Sequence, residues 1–75
     1  PLSALRALSG MSRAKLADKD YRSSLDFAMK AKEQAELLNS VQESWVNYVD
    51  IGNAHIGLGK KELAIAAYQN AIDIV

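Results

Sequence analysis

A shift of forty residues lays the second half of the chain on the first without a gap. Met11 falls on Ile51, Ser12 on Gly52, Ala14 on Ala54, Leu16 on Ile56, Ser24 on Ala64, Leu25 on Ile65 and Ala31 on Ala71. The twelve-residue interval from Ser12 to Ser24 recurs from Gly52 to Ala64. A period this long, used twice in 75 residues, leaves room for two copies of one supersecondary unit. Such a unit cannot bury its apolar face alone, so the copies must stack on one another. Small residues at the matched positions imply that the chain elements cross closely there.

Hydrophobic spacing makes each unit a pair of helices. The first segment, 3–17, carries Leu5, Leu8, Met11 and Leu16. The second, 21–38, carries Leu25, Ala28, Ala31, Ala35 and Leu38 on one stripe. Ser40-Val-Gln-Glu43 reads as a capping box, with Ser40 accepting from the Glu43 amide and Glu43 reaching back. The third segment, 41–58, places Trp45, Tyr48, Ile51, His55 and Leu58 along one face, and Gly59 suits a left-handed cap at its end. The fourth begins near Lys61 and includes Leu63, Ala64, Ala67, Tyr68, Ala71 and Ile72. Twelve alanines and a single proline, at position 1, agree with an all-α fold. The expected architecture is one domain over 1–75, with two antiparallel helix-turn-helix hairpins stacked as a solenoid fragment, unit one at 3–38 and unit two at 41–75. A chain of this size buries only about 60% of its unfolded surface, so its core is thin.

At these residues the chain resembles the tetratricopeptide repeat (TPR) family. The second unit carries Tyr48, Ile51-Gly52, His55, Gly59, Ala64, Tyr68 and Ala71 at the family's spacings for its aromatic, leucine-glycine, tyrosine, turn glycine, alanine, aromatic and alanine. In the first unit Ser12 replaces the glycine, Lys15 the tyrosine and Ala28 the second aromatic, while Lys19-Asp20-Tyr21 fits the Gly-Asp-Tyr turn. The forty-residue period matches the longer-repeat branch of the family rather than its usual thirty-four. The resemblance implies a groove lined by the first helix of each unit. Its lining would be Arg6, Ser9, Arg13 and Ala17 in unit one, and Val46, Val49, Asp50 and Asn53 in unit two. It implies a protein-interaction scaffold without catalysis. Val49 stands where a carboxylate-clamping member would have lysine, so a full clamp for a chaperone tail is not expected.

The remaining chemistry is sparse. Nine Lys and Arg balance nine Asp and Glu, which removes the basic excess of a nucleic-acid binder and the polybasic patch of a membrane binder. With no cysteine and one histidine there is neither a disulfide framework nor a ligand set for metal, and no cofactor motif is present. Gly52 and Gly57 have the separation of a phosphate loop, but Leu58 and Gly59 follow where Lys and Ser or Thr are required. His55 is expected to be packed and hydrogen-bonded rather than catalytic. Arg22, Asp26 and Lys30, with Lys32 and Glu36, read as a solvated face of pairs four residues apart. The lack of cysteine and of a signal peptide leans towards the cytoplasm, although a chain beginning with proline reads as a processed product or a piece of a longer protein.

Two working surfaces follow. Arg6 and Arg13, seven residues apart on one helical face, suit an acidic or carboxylate group, and Val46, Val49, Asp50 and Asn53 add an apolar and amide patch. The expected ligand is a peptide of mixed acidic and apolar character. Alternatively, Ile72, Ile74 and Val75 leave an apolar face at the end of the chain without the polar capping helix of a solenoid. Either a neighbouring repeat or another copy of the chain would cover it, making self-association the function.

Overall fold

The computed structural model describes residues 2–74, Leu2 by its backbone alone. It contains α1 (Leu2–Ala17), α2 (Tyr21–Leu37), α3 (Val41–Gly57) and α4 (Lys61–Ile74), and no strand among the described residues. Each helix packs antiparallel on the next, and α1 also touches α3. The chain is thus a stack of two helical hairpins, α1–α2 and α3–α4.

The three turns are built alike and fall every twenty residues. Lys19, Asn39 and Gly59 each take positive φ, at 63°, 53° and 75°. In each turn the left-handed residue donates three residues back: Lys19 to Leu16, Asn39 to Glu36, Gly59 to Ile56. The residue after it donates five back, Asp20 to Lys15, Ser40 to Ala35 and Lys60 to His55. These paired bonds satisfy the last carbonyls of each helix in the Schellman arrangement. The same residue then opens the next helix, as Asp20 accepts from the Ser23 amide and Ser40 from the Glu43 amide. The turn between units is therefore the same as the turn within them. Gly59 caps α3 as expected, and Lys19 adopts the conformation of the glycine it replaces.

Alanine dominates the interface. Ala28, Ala31 and Ala35 of α2 and Ala64, Ala67 and Ala71 of α4 are buried, so the helices approach with little between them. One apolar cluster joins Leu5, Ala31, Ala35 and Leu8, and a second joins Ala28, Ile51, Ala67, Leu25 and Tyr48. The large residues of the expected stripes lie further out. Met11, Leu38, Leu63 and Ile72 are exposed, because the buried side of each helix is taken by its alanines and serines.

Glycine marks two closer approaches. A Cβ on Gly52 would lie 2.5 Å from Cε1 of Tyr68, and one on Gly57 would fall closer still to the Tyr21 ring. Gly52 sits inside α3 and Gly57 at its end, so neither belongs to a phosphate-cradling loop.

Candidate functional site

The polar residues of α1 and α3 form a ladder between the two units. Arg6 Nε donates to Glu43 Oε1 at 3.4 Å, the buried Ser9 hydroxyl to Asn47 Oδ1 at 2.8 Å, and Arg13 Nε to Asp50 Oδ1 at 3.5 Å. Helical spacing aligns positions 6, 9 and 13 of one helix with 43, 47 and 50 of the other. Arg6 and Arg13 keep 66% and 54% of their side-chain surface exposed, whereas Glu43 and Asp50 are largely covered. The bond from each arginine is made through Nε.

The expected capping box is half formed. Ser40 accepts from the Glu43 amide, but the Glu43 carboxylate leaves the cap to pair with Arg6. The attraction of a guanidinium outcompetes a second cap bond at this part-buried helix start. Of the opposite charges four residues apart on α2, Lys32 and Glu36 meet at 3.6 Å, and no Arg22–Asp26 or Asp26–Lys30 pair forms among the described residues. Lys30 instead lies over Phe27 and Lys32 over Tyr48, 5.9 and 5.5 Å from the ring centres.

Asp50 is buried beneath Arg13, and its Oδ2 finds no hydrogen-bonding partner among the described residues. Loss of hydration raises its pKa above the ordinary carboxylate value, against the charge and hydrogen bond of Arg13. His55 is partly buried, and its Nδ1 also lacks a partner. Desolvation, with the Lys60 charge added, lowers its pKa and favours neutral imidazole. His55 is expected from the sequence to be packed and hydrogen-bonded; it is partly buried, and Nδ1 makes no such bond among the described residues.

The structure brings Arg13 and Asp50 into contact and places Arg6 one step along the same seam. Val46, Val49 and Asn53 stand forty residues on from Arg6, Ser9 and Arg13, and therefore line the edge of α3 turned away from α1. All three are half-buried, and Asn53 accepts a 2.6 Å hydrogen bond from the Tyr68 hydroxyl of α4. Ile72 is exposed on α4, and Ile74 lines an open notch of about 400 Å³ with Val41, Gln42 and Trp45. Val75 lies outside the described residues.

Sequence reasoning missed the partners of the arginines. A signal for them was present: positions 6, 9 and 13 and positions 43, 47 and 50 are polar tracks at complementary helical spacing. On another side of α1 the Ser12 and Ser24 hydroxyls each donate to the other residue's carbonyl at 2.8 Å, clasping α1 to α2. Forty residues on, Gly52 and Ala64 stand at the corresponding positions of the second unit, where Gly52 lies against the Tyr68 ring. Among the described residues no three of His, Cys, Asp and Glu are grouped to hold a metal ion, and no helix is long and apolar enough to cross a membrane.

Comparison with known proteins gives no match: no family model, curated protein or solved structure aligns with this chain.

Proposed function

We propose that this chain is a protein-interaction scaffold, working through the side on which α1 and α3 lie together and holding a peptide or protein segment without chemical change. The observation that carries this reading is the ladder. Arg6 and Arg13 are tied through Nε to Glu43 and Asp50, which stations their guanidinium groups about 10 Å apart along α1. Anchoring lowers the side-chain entropy lost when those groups meet a ligand. The partly open Val46 and Val49 add apolar contact on the adjoining edge. The resemblance to tetratricopeptide repeats supports the same surface.

Because each guanidinium already faces a carboxylate, the ligand is read as a segment with spaced acceptors, either carboxylates or backbone carbonyls, and an apolar side chain between them. A fluorescein-labelled library of acidic-apolar peptides, followed by anisotropy, tests this. Arg6→Ala with Arg13→Ala should weaken any selected peptide at least tenfold and flatten its salt dependence. Unchanged affinity and salt slope would remove the arginines from the site.

A further inference from the structure

We propose that the two open ends of the stack are complementary, so that a second copy of this chain docks head to tail. Its α1 would take on α3 and α4 the seat that α3 takes on α1 and α2. The inference stands on the internal interface and does not require the peptide-binding reading.

The chemistry changes in step on both sides of the junction. Inside the chain, Arg6 meets Glu43, Ser9 meets Asn47 and Arg13 meets Asp50. A shift of forty residues carries the first members to Val46, Val49 and Asn53 at the α3–α4 end. The reverse shift carries the second members to Ser3, Ala7 and Gly10 at the α1 end. Charged and polar residues face one another within the chain, whereas at the open ends Val46 and Val49 would meet Ser3 and Ala7, and Asn53, already bonded to the Tyr68 hydroxyl, would meet Gly10. Neither end would strand a buried charge against the other, whereas a charged partner on the α3–α4 end would find no counter-charge at 46 or 49.

The second helix makes the same change. Leu25 and Lys32, against Ile51 and Tyr48 in the internal interface, become Ile65 and Ile72, which stand 55% and 65% exposed. Their counterparts on the far end, Met11 and Leu8, are exposed and half-buried. The Tyr21 ring, which requires glycine at position 57, becomes Lys61, and its opposite number becomes Ala17. A flexible lysine needs no glycine there. Each end therefore carries the residues that the other can cover. The contact joins different faces of the two copies, so it does not close on itself at a dimer.

Two variants separate this from a symmetric pairing. Ile65→Glu with Ile72→Glu blocks the α4 end, and Ala7→Glu with Met11→Glu blocks the α1 end. All four positions are exposed in the single chain, so both variants should keep the wild-type helical circular dichroism. Sedimentation equilibrium over a hundredfold range of concentration should show the wild-type mass rising past twice 8.2 kDa without a dimer plateau. Each variant alone should remain monomeric, with association at least tenfold weaker. An equimolar mixture should form a 1:1 heterodimer and stop, since each variant supplies the face the other lacks. A wild type monomeric throughout would overturn the proposal. So would an α1-blocked variant that dimerises alone, which would assign the α4 face to a symmetric contact, or a mixture that stays monomeric.

Discussion

Gly57→Ala adds one methyl group at the end of a helix, where alanine is ordinarily the better residue by up to about 1 kcal/mol. Here the new Cβ would fall against Cγ, Cδ1 and Cε1 of Tyr21. Cγ is the root of the ring, so relief requires the whole side chain, seated in the first turn of α2, to swing away. Overpacking of this kind costs about 1–3 kcal/mol, which exceeds the helix gain. The expected result is a net loss of about 1–2 kcal/mol. In a domain of this length that lowers Tm by roughly 5–15 °C. Gly10→Ala is the control, because a Cβ there meets nothing within 4 Å. It should raise stability by about 0.5–1 kcal/mol. Thermal and urea unfolding followed by circular dichroism, at concentrations where the chain is monomeric, measure both. In a Tyr21→Ala background Gly57→Ala should cost nothing, giving a coupling of about 1–3 kcal/mol between the two sites. Stabilisation by Gly57→Ala like that of Gly10→Ala, or a cost that survives removal of the ring, would mean that the Tyr21 ring does not crowd position 57.

Two further outcomes follow from the turns and the ladder. Lys19→Gly should stabilise the chain by about 0.5–1 kcal/mol in urea titration, since a left-handed lysine carries a steric cost that glycine avoids; a loss would mean that the lysine side chain contributes more than its backbone costs. Asp50 has its pKa raised by burial, so the folded chain takes up this proton at a higher pH than the unfolded chain. The wild type should therefore gain stability relative to Asp50→Asn as pH falls from about 7 towards the ordinary carboxylate pKa of about 4. A relative loss over that window would show that Arg13, rather than desolvation, sets the balance.

The fold was legible because alanine recurs at helical spacing and nothing interrupts it. Ala28, Ala31, Ala35, Ala64, Ala67 and Ala71 all lie in the buried stripes, and Ser40 and Gly59 mark helix boundaries. The seam between units was not legible in the same way. Arginine, serine and asparagine at helical spacing look alike whether they face water or a polar neighbour, so Ser9 and Asn47 gave no sign of burial until their partners were in place. Large apolar residues misled in the opposite sense. Ile72 and Leu63 have the pattern of a core stripe, yet Ala64, Ala67 and Ala71 take the buried side of α4 and leave them exposed. Their sequence position therefore speaks more for surfaces than for stability.

The working surface is tested most directly by titrating the ¹⁵N-labelled chain with the tightest peptide from the acidic-apolar library and mapping amide shifts. The account predicts changes concentrated at Arg6, Ser9, Arg13, Val46 and Val49, with α2 and the outer face of α4 silent. Changes confined to α4, or none up to about 1 mM peptide, which would half-fill a site worth only about 4 kcal/mol, would contradict it.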